Sequence, residues 1–429
     1  MPGSLDGVTV IDFTEYVAGP YGTMMLADMG AEVIKVEPME GDHWRRHQPL
    51  LPHESRYFFG VNRGKRSVAV DTETPEGRAV VDDLLRMADV VILNYRQGTI
   101  DRLGLDYDSV KAVNPSVIYC SISAFGQKGT YSSRPGFDIL VQAMSGIMDF
   151  ERKVDRGVPV GIGTFAPTDL SSGMFAAFAV ASALYRRAMT GEGECIDLSL
   201  FASALAIQYR PMLSLEAFDR ESRQHTVAAI EAARENGMSY EDILALRTGM
   251  GLQRAAALYY RVYRTSDGLV CIACLNNRQR RRVRDELGIE DPAVDGAAFT
   301  PAAELGADEQ EQLIQAFEEG FKQRSTDEWL RRFEELDVPA VPVVMTEEVF
   351  DSEQVRANDR LHRMQHPELG EIVQARSPIE MQNTDVGAGW PAPKFSIDVE
   401  DILGRAGYSA DQLRELAEKG VVRLPGDQD

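Results

Sequence analysis

Residues 7–37, GVTVIDFTEYVAGPYGTMMLADMGAEVIKVE, set the tightest limit on what this chain can become. GVTVIDF (7–13) is a short β-branched run with the period and flanks of a buried strand. Gly19, Pro20 and Gly22 predict a turn, residues 23–29 a helix, and AEVIKVE (31–37) a second strand. Strand, turn, helix and strand in that order make a βαβ unit, which predicts a parallel sheet. The glycine spacing is not GxGxxG, so the turn does not read as a dinucleotide fingerprint.

The alternation continues. RSVAVD (66–71) predicts a strand, and TPEGRAVVDDLLRMA (74–88) a helix with Pro75 in its first turn. DVVILNYR (89–96) is a strand that delivers Asn94, Tyr95 and Arg96 to its C-terminal end, where open α/β sheets bind ligands. DYDSVKAVN (106–114) reads as helix, SVIYCSISAFG (116–126) as strand, and GEGECIDLSLFASALAI (191–207) as strand then helix. The first two hundred residues therefore predict a doubly wound α/β domain. From Phe218 to about Thr248 the chain is polar and helical. YRVYRTSDGLVCIACLNNRQRRRVRDELGI (260–289) then reads as strand, turn, strand and Arg-rich helix, which predicts a smaller α+β domain. STDEWLRRFEELDVPAVPVV (325–344) is a capped helix and a Pro-punctuated strand, residues 369–393 look extended, and SADQLRELAEKGVV (409–422) closes with a surface helix.

Within APTDLSSGMFAAFAVASALYRRAM (166–189), Asp169 stands where a long helix starts. It can be an acid that satisfies orphan amides and the positive end of the helix dipole. It can also be a nucleophilic carboxylate beside the small-residue turn Ser171–Gly173. Local sequence leaves both open.

Charge narrows the function. With 67 acidic and 45 basic residues the net charge is −22, which argues against nucleic acid or an anionic membrane as a main partner. The N-terminus lacks the pattern of a signal peptide, and no window approaches the roughly 20 apolar residues of a membrane span. A cytoplasmic protein is expected. Four cysteines make no disulfide framework in 429 residues, and no histidine pair has metal-ligand spacing, so no metal is expected. Basic residues gather at His43–Arg46, at Arg63, Lys65 and Arg66, and at Arg96 and Arg102. They read either as a local anion site at one sheet edge or as solvated strand ends. There is no GxSxG, no P-loop and no Cys/His pairing, which leaves carboxylates as the candidate reactive groups.

Several long segments, in order and spacing, resemble the class III CoA transferases (the CaiB–BaiF type), a family that includes formyl-CoA and carnitine CoA transferases and 2-methylacyl-CoA racemases. They are LDGVTVIDFTEYVAGPYGTMMLADMGAEVIKVEP, NRGKRSVAVD, LNYRQGTIDRLGLDY, NPSVIYCSISAFGQKG and RPGFDILVQAMSG. The likeness is dense over the first two hundred residues and weaker through YRVYRTSDG and DVPAVPV.

The resemblance implies a Rossmann-like CoA-binding domain from residues 1–205 and 330–429, linker helices and a small α+β domain from 206–329, and an interlaced homodimer. It implies a CoA transferase with Asp169 as catalytic carboxylate, working through an aspartyl anhydride and an aspartyl-CoA thioester. Coenzyme A thioester is then a substrate, and no tightly bound cofactor is expected. The loop from Thr14 to Ala18, with Val17 and Ala18 as its implied substrate contacts, would lie over the thioester; Val17 stands where some relatives carry glutamine. Asn94, Tyr95, Arg96, Arg102 and Lys128 fall where the family holds CoA, and Arg134 and Phe137 join the implied substrate contacts. Phe137 occupies the position of a histidine base in the racemases, which places racemisation second; a non-catalytic CoA-binding homologue is the remaining alternative. The family's glycine-rich loop has its closest counterpart in Gly249 and Gly251, and its C-terminal Gly-Glu-His signature is replaced by PAPKFSIDVEDIL.

Overall fold

Six parallel strands form the central sheet because successive βα repeats each supply one: β1 (Thr9–Phe13), β2 (Glu32–Glu37), β3 (Lys65–Ala69), β4 (Val90–Leu93), β5 (Ile118–Ser123) and β6 (Glu194–Ser199). The computed structural model describes residues 2–163, 165–249, 258–295 and 307–426. Strand order is β6-β5-β4-β1-β2-β3, with Val10 beside Val33 and Val90 on its two neighbours. The order reverses between β1 and β4, and that reversal opens a crevice at the carboxyl ends of the strands.

Both faces of the sheet are covered, as a parallel sheet requires. Ile11, Phe13, Ile34, Val36, Val91 and Leu93 pack on one face against α2 (Pro75–Met87) and the C-terminal helices Val399–Arg405 and Ala410–Glu418. Val10, Val33, Val90 and Ile92 pack on the other against α1 (Ala18–Asp28), α3 (Asp138–Ser145), α4 (Pro167–Thr190) and α5 (Leu200–Ile207). The Rossmann-like sheet expected from the sequence is present.

The chain divides into two compact units, Met1–Leu215 with Asn358–Asp429, and Glu216–Ala357. The smaller unit carries an antiparallel sheet of Tyr260–Arg264, Leu269–Ala273 and Ala340–Pro342, backed by Phe317, Phe321, Trp329 and Phe333. Residues 330–357, expected with the larger domain, lie in this unit because Ala340–Pro342 pairs with Leu269–Ala273. Residues 206–215, expected with the linker, belong to the larger one. The extended stretch expected at 369–393 begins in a hairpin, Leu361–His366 with Gly370–Ala375. Gly251, named above for a glycine-rich loop, lies outside the described residues, and Gly249 ends the helix Tyr240–Gly249.

The largest local departure concerns residues 18–22. Gly19, Pro20 and Gly22 are the opening turns of α1, not a turn before it. Pro20 is tolerated in a first helical turn, where its missing N–H costs no bond. The glycines are there for clearance. A Cβ on Gly19 would stand 2.3 Å from the Thr14 side chain, and one on Gly22 would stand 2.7 Å from the Gly173 carbonyl oxygen on α4. The reciprocal Cβ on Gly173 would meet Ala18 O at 2.6 Å. These contacts bring the starts of α1 and α4 together.

Gly173→Ala therefore forces two backbones apart. We expect a loss of about 1–3 kcal/mol in urea denaturation, the cost of overpacking a tight site, despite alanine's better helix propensity. A variant as stable as the parent would show that the helices separate freely.

Candidate active site

The crevice between β1 and β4 holds a cavity of about 460 Å³. Its wall includes Glu15, Tyr16, Val17 and Ala18 after β1, Asn94–Gln97 after β4, Ser123 and Ala124 at the end of β5, Arg134 and Phe137 before α3, and Asp169 at the start of α4. Of the residues named from sequence, eight line it: Val17, Ala18, Asn94, Tyr95, Arg96, Arg134, Phe137 and Asp169. Arg102 and Lys128 do not. Arg102 is ion-paired with Glu73 at the surface, and Lys128 is exposed near Asp197.

Buried charges fix the loop after β1. Asp12 accepts from Thr14 N at 2.9 Å, Thr14 Oγ1 at 2.5 Å and Thr23 Oγ1 at 2.7 Å. Lys65 Nζ donates to Asp12 (3.0 Å), Asn62 Oδ1 (2.7 Å) and Pro20 O (2.9 Å). Lys35 Nζ donates to Thr14 O at 2.6 Å and pairs with Asp42 at 2.8 Å. Burial opposes charge on Asp12, but the Lys65 and Lys35 ammoniums outweigh it and hold the carboxyl at about 2. Burial lowers Lys65 to about 8 even with Asp12 beside it.

This network corrects the reading of the basic clusters. Arg45 is enclosed by Glu37 at 2.6 and 2.8 Å, Arg63 by Asp28 at 2.9 and 2.6 Å, and Arg66 by Glu32, Asp398 and Asp401. They are neither an anion site nor solvated strand ends; acidic partners on neighbouring elements neutralise them. Arg96 and Arg134 line the cavity and form no ion pair among the described residues.

Asn94 has a different part from the one expected. Its Nδ2 donates to Glu15 O at 2.8 Å and its Oδ1 accepts from Glu15 N at 2.9 Å, so both ends of the amide are spent on the loop. Tyr95 packs against the α2-side core, and burial drives its phenol well above the ordinary range. Beyond Glu15 the chain passes through Tyr16 at φ 68°, a left-handed conformation uncommon for a bulky residue. The Tyr16 ring stacks on His43 (5.1 Å, 19°) and meets Phe137 edge-on (5.5 Å, 80°), contacts that hold the strained turn.

The resemblance had put Glu15 and Tyr16 in the loop over the thioester without giving either a role of its own, and His43 was read only as part of a basic run. Glu15 Oε1 lies 3.3 Å from His43 Nδ1, and burial followed by the Asp42 carboxylate raises the Glu15 carboxyl.

Asp169 lies in the first turn of α4 but does not cap it. Thr168 N (2.7 Å), Thr168 Oγ1 (2.6 Å) and Asp169 N (3.3 Å) all donate to Asp138 Oδ1 on α3. The Asp169 carboxylate accepts no hydrogen bond among the described residues. Burial, and then the Asp138 charge, push its carboxyl up to about 7. Among the described residues no three His, Cys, Asp or Glu gather as metal ligands, and no helix is long and apolar enough to cross a membrane.

A Rossmann-order sheet whose switch-point crevice holds a carboxylate without a hydrogen bond and two guanidiniums without an ion pair among the described residues defines an α/β enzyme for anionic substrates. Residues 5–398 match CoA-transferase family III. The chain is 35% identical to the succinate–glutarate CoA-transferase of Agrobacterium fabrum, over 93% of this chain and 94% of that one. It is 31% identical to the succinyl-CoA:glutarate CoA-transferase of Mus musculus, over 97% and 90%. Among solved structures, a CaiB/BaiF family protein from Brucella suis aligns with a TM-score of 0.73 at 33% identity, covering 95% of this chain and 100% of that one. The chain belongs to CoA-transferase family III, enzymes that move CoA between acyl-CoA thioesters and carboxylic acids.

The raised Asp169 carboxyl has a consequence for stability. From its ordinary 3.8 to about 7 the native chain holds this proton and the unfolded chain does not, so stability falls as pH rises through that window. Asp169→Asn removes the penalty. Its Tm should exceed the parent's by a few degrees at pH 8 and match it near pH 4; equal shifts at both pH values would refute the weakened acidity of Asp169.

Proposed function

We propose that the enzyme transfers CoA from a dicarboxylic acyl-CoA to a dicarboxylic acid through covalent intermediates on Asp169. The observation that carries this reading is the Asp169 carboxylate in the cavity wall, beside the start of α1 and without a hydrogen bond among the described residues. An Asp169 oxygen attacks the thioester carbonyl carbon, the C–S bond breaks, and CoA thiolate leaves a mixed anhydride. The thiolate then attacks the Asp169 carbonyl carbon, which forms aspartyl-CoA thioester and releases the donor acid. The acceptor carboxylate attacks that thioester and frees the thiolate again. Thiolate attack on the acceptor's acyl carbon completes the new acyl-CoA and restores the Asp169 carboxylate.

α1 has no side-chain cap, and Ala18 lies in the cavity wall, which supports its first-turn amides as oxyanion donors. Arg96 and Arg134 supply positive charge for the CoA phosphates and the second carboxylate of a dicarboxylic substrate. The substrate class follows the two relatives above, which are named for succinyl-CoA or succinate and glutarate. Racemisation is second, since Phe137 offers no base to pair with Asp169. The CoA-binding body is the larger unit, and the acidic charge and four free cysteines fit a cytoplasmic setting.

Incubating the enzyme with succinyl-CoA and a panel of dicarboxylates, with borohydride or hydroxylamine present, should modify Asp169 and no other residue. Asp169→Ala should lower thioester exchange by at least about 10³-fold, the scale of losing a covalent route. Exchange that survives this substitution would overturn the mechanism.

We also infer that two chains associate as an interlaced homodimer. A broad apolar surface supports this: Ile139, Leu140 and Met144 on α3, Met174, Phe178, Tyr185 and Met189 on α4, and Tyr209 and Leu213 beyond α5 are exposed. Large apolar side chains exposed together on neighbouring helices mark an interaction surface. Light scattering should give twice the 47.5 kDa chain mass; a 47.5 kDa species at micromolar concentration would overturn the inference.

A further inference from the structure

A carboxylate at the start of a long helix is ordinarily stabilised by the free amides of the first turn and by the helix dipole, and so becomes a weak base and a weak nucleophile. Asp169 is placed to suffer that fate. It escapes because another carboxylate occupies the amides. Asp138 Oδ1 takes the Thr168 and Asp169 N–H groups and the Thr168 hydroxyl, while Asp138 Oδ2 accepts from Gln142 Nε2. Gln142 is fully buried and also spans Ile162 N (2.8 Å) and Ile162 O (3.0 Å). The start of α3, the segment at Ile162 and the first turn of α4 are thus joined through one carboxylate that the transfer steps do not use.

We propose that Asp138 is a positioning residue for the nucleophile: it caps α4 in place of Asp169 and leaves the Asp169 carboxylate unbonded toward the cavity. The inference rests on the reading of Asp169 as nucleophile. Two effects follow. The Thr168 and Asp169 amides are turned to α3, which fixes the backbone that carries the reacting oxygen. The negative charge of Asp138 also keeps Asp169 more basic than an aspartate at a helix start, and a more basic carboxylate attacks a thioester faster at pH values where it is ionised.

The other charged groups around Asp169 are few. Glu15, Arg96 and Arg134 on loops, and His43 at the start of the short helix His43–Arg46, line the same cavity. α1 has no charged residue in its first turn, and α5 has none at all. Burial and then the Asp138 charge raise the Asp169 carboxyl, and Asp138 acts through a shared helix end.

The test is Asp138→Asn, which keeps an oxygen acceptor for the α4 amides and removes the charge. The ionisation of Asp169 is read directly, without any transfer reaction, from the pH dependence of its carbodiimide labelling by peptide mass spectrometry. We expect the midpoint to fall by about one unit or more, the usual reach of a neighbouring charge. The acid limb of kcat/KM should move with it, while kcat drops about tenfold and KM for acyl-CoA changes less than about threefold. A midpoint equal to the parent's in a folded Asp138→Asn would overturn the proposal. Asp138→Glu, which retains the charge, serves as the second variant. Its midpoint should stay near the parent's, and a fall like that of the asparagine variant would also overturn the proposal. The two readings fail separately: thioester exchange in Asp169→Ala removes the nucleophile assignment, and an unmoved midpoint removes the role of Asp138.

Discussion

The Asp12 carboxylate, sealed under the carboxyl edge of the sheet, is the contact on which the rest of the site depends. A buried charge is tolerable only when partners and hydrogen bonds replace its water, and stripping one partner from such a pair costs about 3–5 kcal/mol. Asp12 has Lys65 from β3, the Thr14 amide and hydroxyl from its own loop, and Thr23 from α1. Lys35 from β2 adds the Thr14 carbonyl. Three strands and one helix thereby agree on a single path for residues 14–18. Without that agreement the loop at the switch point would be an ordinary surface connection, and the cavity would have no fixed wall.

Two helix starts are then brought to that wall, and small residues make it possible. Gly22 and Gly173 allow α1 and α4 to touch backbone to backbone, where a methyl group would collide. The left-handed Tyr16 is the strained point of the arrangement, and its aromatic neighbours His43 and Phe137 keep it in place. Strain of this kind persists where surrounding contacts over-determine the backbone. Packing, charge and strain therefore act on the same five residues from three directions.

The sheet was legible in the sequence because a parallel strand buried on both faces is a run of β-branched residues, and each such run ended at a recognisable turn or helix start. Asp169 was visible as an acid at a helix start, and the resemblance of several long segments put it first among the reactive groups. Other features were not visible. Gly19 and Gly22 look like turn residues because sequence does not say which helix will press against them. The clusters at Arg45, Arg63 and Arg66 look like an anion site because their partners Glu37, Asp28 and Asp398 lie 8, 35 and 332 residues away. Asn94 was placed correctly at a strand end, but its amide faces the Glu15 backbone, a pairing set by the β1–β4 neighbourhood rather than by local spacing. Long-range partners decide what a polar residue does, and a single sequence shows only which residues need partners.

Chemistry on a carboxylate also needs dryness. A mixed anhydride is lost if water reaches it before the thiolate returns, and an enclosed site both excludes water and strengthens every remaining charge interaction. The cavity wall supplies part of this enclosure with Val17, Ile122, Phe137 and Leu200. Met174 and Phe178 follow Asp169 along α4, and both side chains are exposed in the single chain. In the pairing proposed above, a second chain laid over α3 and α4 would bury these groups and close the surface beside Asp169, the proposed nucleophile, in one step. Assembly and water exclusion would then draw on the same apolar face, which gives a physical reason for so much hydrophobic surface to lie next to Asp169.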